Sequence, residues 1–258
     1  MRKLLAVLCA AAMLTAVSGC AGSSSVTAAS IKNAGVLKVG VKEDVPGFGL
    51  LNKDTNQYEG LEIELAKLIA KEFTGDDTKV EFTPVTAKTR GPLLDNGDIN
   101  MVIATFTITE DRKLTYNFST PYYQDAVGML VKKDAGINSL ADLGGKTIGV
   151  AQSATSKDAI QAAADEAGVS ISFSEFASYP EIKAALDSGR VDVFSVDGSI
   201  LGGYVDDTSV ILPDRFSPQD YGVATKLDNK DLAQTVDDLI NKWLNDGTIA
   251  GLVSKYNL

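Results

Sequence analysis

Histidine is absent from this 258-residue sequence, and its two cysteines, Cys9 and Cys20, both lie within the first 20 positions. These two residue types supply the commonest general base and a common nucleophile of enzymes, although Glu, Asp and Lys can also serve. A metal motif is lacking too: residues 52–56 (NKDTN) resemble a calcium loop, but Gln57 stands where that loop requires glycine. The sequence therefore favours binding over catalysis and predicts no metal and no cofactor.

Positive charge is also scarce. The chain has 24 Lys and Arg against 34 Asp and Glu, which gives a formal net charge of -10, and it contains no basic run. This balance argues against a nucleic-acid partner and against docking on an anionic membrane surface. It also repels an acidic ligand at long range, so local positive charge must capture any such ligand.

One apolar run, residues 4–17, follows Arg2 and Lys3 and is too short to span a bilayer comfortably. Small residues then precede Cys20, a pattern that predicts a lipoprotein signal peptide over residues 1–19 and a lipid on Cys20. The alternative is an ordinary secretory signal with an incidental cysteine. A lipid anchor would hold the protein outside the cytoplasm, on the outer face of the cytoplasmic membrane or in the periplasm.

Residues 20–30 are small and polar, with three consecutive serines, and predict a flexible, lipidated tether. The folded body is then expected to begin near Ile31. A chain that starts at Cys20 has no second thiol and cannot form an internal disulfide.

Strand and helix patterns alternate along the body, which predicts an α/β fold with mostly parallel sheets. The predicted strands are residues 36–41, 80–82, 101–104, 147–151, 171–175 and 191–195, and the predicted helices are residues 61–73, 157–167, 181–187, 232–245 and 249–255.

Two short internal sequence repeats divide the body into two halves. Residues 94–100 and 186–192 share a helix end, a glycine suited to a left-handed cap and a strand start, and residues 39–41 match residues 148–150 more weakly. Two matches in the same order favour duplicated lobes. Ligands of such sheets bind beyond the carboxyl ends of the strands. The residues at those ends are Lys42, Thr105, Gln152 and Asp197.

Arg90, Arg112 and Asp197 would suit an amino acid, because two guanidinium groups and one carboxylate can bind two carboxylates and one ammonium. Thr105 and Thr107 offer hydroxyls just before Arg112. A further anion site is expected at the start of the helix predicted for residues 157–167, where Thr155 or Ser156 would be the N-cap. Each of these residues has a plainer alternative, namely solvated surface charge for the arginines and simple capping for the hydroxyl residues.

Taken together, the chain resembles the extracytoplasmic solute-binding proteins of polar amino acid ABC importers, family 3. The resemblance covers residues 37–256, and within the family it is closest to aspartate/glutamate-binding members. It rests on the following stretches: residues 105–112 (TFTITEDR), 118–123 (FSTPYY), 148–151 (IGVA), 196–197 (VD), 41–46 (VKEDVP) and 87–97 (AKTRGPLLDNG).

The resemblance implies that Arg112 holds the ligand α-carboxylate, helped by Thr107 and Thr155. It also implies that Asp197 takes the α-ammonium, with Thr105 nearby.

Lys42 and Arg90 match positions that reach the ligand side chain in the acidic-ligand branch, whereas glutamine-binding relatives have an Asp and an apolar residue there. The site then counts three cations and one anion, which favours aspartate or glutamate over glutamine. Cystine or another dicarboxylic amino acid stays possible. One departure from the family pattern falls at residues 60–64 (GLEIE), where we expect only a packing adjustment.

The implied fold is the two-lobed, type II periplasmic-binding-protein fold, with the ligand cleft between the lobes. Lobe 1 is expected over residues 31–123 and 222–258 and lobe 2 over residues 127–218, with hinge crossings at 124–126 and 219–221. The resemblance implies a monomer that closes around its ligand and delivers it to an ABC transporter permease. Two alternatives are a dehydratase-like enzyme on the same fold and a ligand-sensing or adhesion lipoprotein.

Overall fold

The structure is a computed structural model, and it describes residues 25–258. The predicted signal peptide, Cys20 and the first part of the predicted tether lie outside the described residues. Within residues 25–258, no helix has the length and apolar character needed to cross a membrane.

The folded body begins before the predicted start at Ile31. Helix α1 (Ala28–Ala34) is preceded by Thr27, whose side chain and that of Ser30 form a reciprocal capping box. The backbone N–H of Val26 donates to the side-chain oxygen of Asn229 at 2.8 Å. The predicted tether over residues 20–30 was therefore too long at its C-terminal end, because Thr27 supplies the cap that starts a helix.

Fourteen strands and nine α-helices follow one another along the described chain. The strands are β1 (Leu37–Val41), β2 (Asp44–Val45), β3 (Gly49–Asn52), β4 (Gln57–Glu59), β5 (Val80–Pro84), β6 (Met101–Ile103), β7 (Tyr116–Phe118), β8 (Tyr123–Lys132), β9 (Thr147–Ala151), β10 (Ser172–Phe176), β11 (Val193–Asp197), β12 (Ser209–Ile211), β13 (Phe216–Tyr221) and β14 (Ala224–Lys226). The helices after α1 are α2 (Leu61–Thr74), α3 (Arg90–Asn96), α4 (Glu110–Lys113), α5 (Ser156–Glu166), α6 (Tyr179–Asp187), α7 (Gly198–Gly202), α8 (Lys230–Asn245) and α9 (Thr248–Lys255).

Each lobe is built on one large sheet, which confirms the predicted two-lobed α/β class. Lobe 1 has the strand order β5-β1-β6-β14-β7, and lobe 2 has the order β10-β9-β11-β8-β12 with β13 added on β8. Strands β2, β3 and β4 form a separate antiparallel sheet on lobe 1.

The sheets are mixed rather than mostly parallel. In each lobe three strands are parallel, β5, β1 and β6 in lobe 1 and β10, β9 and β11 in lobe 2, and helices connect them. The remaining pairings are antiparallel. The prediction failed for these strands because β8, β13 and β14 enter their sheets without a crossover helix, which a parallel connection needs.

The parallel parts of the two lobes share one topology. In each, the first strand lies between the second and the third, with a helix after the first and after the second strand. The glycines of the repeated sequence stretches follow the second connecting helix in each lobe: Gly97 follows α3 with φ 80°, and Gly189 lies beyond α6 with φ 74°. The duplicated sequence pattern therefore corresponds to a duplicated strand order.

Gly40 and Gly149, in the centres of β1 and β9, are matched in packing as well. A Cβ atom at Gly40 would lie 2.6 Å from Ile99 Cδ1, and one at Gly149 would lie 2.7 Å from Ile182 Cγ2. In both lobes, an isoleucine side chain thus fills the space that a side chain on the central strand would need.

We expect Gly149→Ala to lower the free energy of unfolding by about 1–3 kcal/mol, because the new methyl group overpacks a close-packed core. The matched control is Gly144→Ala, where nothing lies within 4 Å of the added Cβ and φ is -52°. Urea denaturation of both variants measures the effect. Equal stability of the two variants would show that Ile182 moves aside without cost.

Candidate functional site

The two lobes contact each other across the cleft, near the carboxyl ends of the parallel strands. The ammonium of Lys88 donates to the side chain of Gln152 at 3.1 Å, and the guanidinium of Arg112 donates to the carbonyl oxygen of Ser153 at 3.2 Å. The hydroxyl of Tyr204 donates to the carbonyl oxygen of Asp44. Each of these hydrogen bonds joins lobe 1 to lobe 2, so the structure has a closed cleft.

The sequence-predicted residues gather at this closed cleft. Lys42, Thr105 and Asp197 lie at the carboxyl ends of β1, β6 and β11, while α3 and α4 position the two arginines. Thr155 and Arg112 are half-buried. The buried members of the set are Lys42, Arg90, Thr105, Thr107, Ser156 and Asp197.

Arg90 and Arg112 lie on the same aromatic ring. The guanidinium carbons are 3.9 Å and 4.8 Å from the centre of the Phe106 ring. Arg90 donates to the carbonyl oxygens of Ala104 at 2.7 Å and Thr105 at 3.1 Å, and Arg112 donates to that of Thr107 at 2.7 Å. The loop that follows β6 therefore holds both guanidinium groups at the cleft.

Both guanidinium groups lack an acidic partner within the part of the chain that the structure describes. No carboxylate oxygen of residues 25–258 lies within 4.0 Å of a side-chain nitrogen of either arginine, and the buried Nε of Arg90 has no hydrogen-bond partner. Burial lowers the pKa of Arg90, and burial together with the nearby Arg90 lowers that of Arg112 to about 9. An anion bound between these groups would offset both costs.

Asp197 contributes the negative end of the cleft. Its carboxylate accepts a hydrogen bond from the hydroxyl of Tyr221, which lies at the end of β13. Burial raises the pKa of Asp197 to about 7, and the charge of Asp125 acts in the same direction, while Tyr221, Arg90 and Arg112 oppose the shift. A cation placed beside Asp197 would favour its charged form.

Lys42 is already paired. Its ammonium lies 3.1 Å from a carboxylate oxygen of Asp44 and 4.5 Å from the ring centre of Tyr179, which belongs to lobe 2. Burial lowers the pKa of Lys42, and Asp44 opposes that shift. The prediction of three cations and one anion overlooked Asp44, so the uncompensated positive charge of the cleft rests on the two arginines.

Glu62 is a second acidic residue that the sequence reasoning missed. The carboxylate is buried in α2 and accepts hydrogen bonds from the backbone N–H of Thr105 at 2.6 Å and the hydroxyl of Tyr122 at 2.5 Å. Burial raises its pKa to about 7. The expected packing adjustment at residues 60–64 is therefore a buried carboxyl group beneath the site. Its helical spacing to the apolar residues Leu65 and Ile69 was the available signal.

Glu62 also supports an unusual backbone conformation at Thr105. Thr105 has φ 45°, in the left-handed region that residues other than glycine rarely adopt. The hydrogen bond from its N–H to Glu62 helps to hold this conformation, in which its carbonyl oxygen accepts from Arg90. Glu62 thus acts on the cleft through Thr105.

The threonine hydroxyls do not have the partners that simple capping predicts. Thr155 occupies the N-cap of α5, but its hydroxyl donates to the side-chain oxygen of Gln219 at 2.6 Å and makes no capping bond. Thr107 donates to the same oxygen at 2.8 Å. The hydroxyls of Ser156 and Thr105 are buried without a partner among the described residues. Nothing in the sequence pattern singled out Gln219.

A two-lobed fold with a closed, charged cleft between the lobes is the architecture of a solute-binding protein. The chain matches the model of the bacterial extracellular solute-binding proteins, family 3, over residues 37–258. It belongs to that family, as the sequence resemblance predicted.

Its relatives carry several specificities. The chain is 37% identical over 233 residues to the ABC transporter glutamine-binding protein GlnH of Bacillus subtilis, covering 89% of this chain and 84% of that protein. A solved structure of an ancestral arginine-binding protein bound to arginine is similar with a TM-score of 0.76 and 34% identity, covering 86% of this chain and 98% of that one. The ancestral amino acid-binding protein AncCDT-1, a precursor of cyclohexadienyl dehydratase, is similar with a TM-score of 0.77 and 31% identity, covering 88% and 97%.

The raised pKa of Glu62 predicts a pH dependence of stability. A carboxyl group that binds its proton more tightly when folded contributes stability below its unfolded pKa and loses it as the pH rises through the folded pKa. The wild type should therefore lose stability relative to Glu62→Gln between about pH 4.5 and 7, with pKa 4.5 as the ordinary value and about 7 in the fold. The expected difference is about 3 kcal/mol.

Denaturation of ligand-free residues 26–258 at pH 4.5 and pH 7.5 measures this difference, with Glu166→Gln on the surface as the control for the substitution itself. A Glu62→Gln effect that is the same at both pH values would show that Glu62 ionises as freely in the folded protein as in the unfolded chain.

Proposed function

We propose that this protein is the lipid-anchored, extracytoplasmic substrate-binding protein of an ABC importer for an acidic amino acid, aspartate or glutamate. The observation that carries the proposal is the pair of guanidinium groups, Arg90 and Arg112, that share the Phe106 ring without a carboxylate partner among the described residues. A guanidinium binds a carboxylate through two parallel N–H bonds, so two of them suit a dicarboxylate.

In this proposal each charged group of the ligand has one counterpart. Arg112, with Thr107 beside it and the backbone N–H groups of Thr155 and Ser156 at the start of α5, takes the α-carboxylate, and Arg90 takes the side-chain carboxylate. Asp197 takes the α-ammonium, with Thr105 nearby. Lys42, paired with Asp44, borders the side-chain end of the site.

Charge favours an acidic ligand over a neutral one. With Lys42 and Asp44 compensating each other, the cleft holds two guanidinium groups against the carboxylate of Asp197. Glu62 adds no charge to this count while it is protonated, below its raised pKa of about 7. A bound glutamate brings a net charge of -1, whereas glutamine leaves one guanidinium facing a neutral amide in a low-dielectric site. The relative that is named a glutamine-binding protein is named for an α-amino acid too, which is compatible with the roles proposed here for Arg112 and Asp197.

Binding is coupled to closure in the proposed mechanism. Arg112 belongs to lobe 1 and Asp197 to lobe 2, so a ligand that contacts both stabilises the closed state. The lobes turn about the crossings at residues 124–126 and 219–221, within the paired strands β8 and β13. An ABC permease then recognises the closed monomer, which the lipid on Cys20 keeps at the membrane.

A dehydratase-like activity is the second candidate, since Asp197 lies at the cleft and its carboxyl group has a pKa of about 7, which suits a general base. Conversion of a carboxylated cyclic compound by the purified protein would favour the enzyme. Capture of a permease by the lipid-anchored chain would favour import.

Isothermal titration of residues 26–258, stripped of carried-over ligand by unfolding and refolding, tests the ligand. We expect tight binding of aspartate or glutamate and at least tenfold weaker binding of glutamine and cystine. Arg90→Met should weaken glutamate binding by roughly ten- to a hundredfold, because hydrogen bonds to charged groups are worth about 1.5–3 kcal/mol. It should change glutamine binding much less.

Arg190→Met, an exposed arginine that lies over the Phe176 ring on lobe 2, is the matched control and should leave both affinities unchanged. A clear preference of the wild type for glutamine or arginine would contradict the acidic ligand. Normal glutamate binding by Arg112→Ala would contradict the assigned α-carboxylate site.

Closure itself can be blocked at Gly203. A Cβ atom there would lie 2.7 Å from the ring of Pro46 on the opposite lobe, whereas at the neighbouring Gly202 nothing lies within 4 Å. We expect Gly203→Ala to weaken ligand binding about tenfold with little effect on the thermal stability of the ligand-free protein, and Gly202→Ala to bind normally. If both variants bind equally well, the closed contact between Gly203 and Pro46 is not needed for binding.

A further inference from the structure

Gln219 lies on β13, one of the two strands that connect the lobes, and pairs with Asp125 of β8. Its side chain is buried, with a relative exposure of 2%. It contacts two of the proposed ligand-site threonines, although the family resemblance implied only a hinge crossing at residues 219–221 and no role for this side chain at the site.

The hydrogen bonds fix the orientation of the Gln219 side chain. Its Nε2 donates to the carbonyl oxygen of Ser217 at 3.0 Å, so Oε1 faces the other way, toward Thr107 at 2.8 Å and Thr155 at 2.6 Å. A carboxamide oxygen can only accept hydrogen bonds. Both threonine hydroxyls must therefore donate to it, and one oxygen atom holds both.

The two threonines belong to different lobes. Thr107 is held to β13 because the neighbouring Ile108 N–H donates to Asp220 O at 2.8 Å and Gly222 N–H donates to Phe106 O at 3.2 Å. Thr155 moves with α5 of lobe 2, where its carbonyl oxygen accepts from Ala159 N–H at 3.1 Å. Movement of Thr155 away from Thr107 when the lobes open therefore breaks at least one of the two bonds to Gln219.

We propose that Gln219 is a positioning residue that stabilises the closed lobes by holding Thr107 and Thr155 on one carboxamide oxygen, and so slows release of the ligand. The inference rests on the proposed function for its effect on release. Its effect on lobe closure stands on the hydrogen bonds alone. When the lobes open, the threonine that leaves the carboxamide oxygen hydrogen-bonds to water instead, so the joint contribution of the two bonds is confined to the closed state.

Gln219→Met keeps the volume of the side chain and removes the acceptor. We expect the dissociation rate of the acidic amino acid, measured by stopped flow, to rise about tenfold, with a small change in the association rate, because the loss acts only after closure. The thermal stability of the ligand-free protein should fall modestly, because the bond to the carbonyl oxygen of Ser217 is lost whether the lobes are open or closed. Gln234→Met on the exposed face of α8 is the matched control.

Thr155→Val removes one of the two donors and tests the same contact if Gln219→Met does not fold. It should raise the dissociation rate in the same direction. In the double variant the two losses should be less than additive, because both changes remove the same hydrogen bond between Thr155 and Gln219.

Lobe closure has a readout that needs no ligand. Residues 25–258 contain no cysteine, so cysteines introduced at the exposed positions Lys53 on lobe 1 and Asp134 on lobe 2 can carry a fluorescent pair. In ligand-free protein, Gln219→Met should lengthen the mean distance between the labels relative to the wild type.

The outcomes separate the two proposals. If no amino acid binds the wild type, the proposed function fails, and the ligand-free distances alone decide the role of Gln219: a longer distance in the variant supports it and an unchanged one overturns it. If the wild type binds as proposed and Gln219→Met and Thr155→Val release ligand at the wild-type rate, the role of Gln219 is overturned and the proposed function stands.

Discussion

The burial of two guanidinium groups side by side is the constraint on which the rest of this structure depends. Arg90 and Arg112 lie on one phenylalanine ring, and backbone carbonyl oxygens accept the hydrogen bonds they make inside lobe 1. Such an arrangement is costly without an anion, because like charges repel and burial removes hydration. The closed cleft therefore favours a ligand that brings carboxylates with it.

Two buried carboxyl groups lie near the arginines, and each is hydrogen-bonded to other residues instead of forming a salt bridge with a guanidinium group. Burial raises the pKa of both Glu62 and Asp197 to about 7, while the hydrogen bonds from Thr105 and Tyr122 to Glu62 and from Tyr221 to Asp197 oppose the shift. Neither carboxylate lies within 4.0 Å of an arginine nitrogen. The cleft thus keeps its positive charge available while limiting the repulsion within it, which fits a site that must bind and release.

The duplicated lobes explain why the site forms at the strand ends. Three parallel strands with the same order in each lobe bring Lys42 and Thr105 to one wall and Asp197 to the other. Periodicity and the repeated glycine cap were sufficient to predict these strands, because each is a short apolar run bounded by a helix. The antiparallel strands β8, β13 and β14 escaped prediction, since pairing between distant segments leaves little local pattern. Glu62 and Gln219 escaped for a related reason: polar side chains on buried faces resemble ordinary helix and strand residues until the fold shows their partners.

The most direct test of the account is a crystal structure of residues 26–258 grown with L-glutamate. We predict a closed cleft in which the α-carboxylate is bound by Arg112, the ammonium by Asp197, and the side-chain carboxylate by the guanidinium of Arg90. A glutamate whose side chain points away from Arg90, or a closed complex in which Arg90 contacts only the backbone carbonyl oxygens of Ala104 and Thr105, would contradict the central claim that these two arginines select a dicarboxylate.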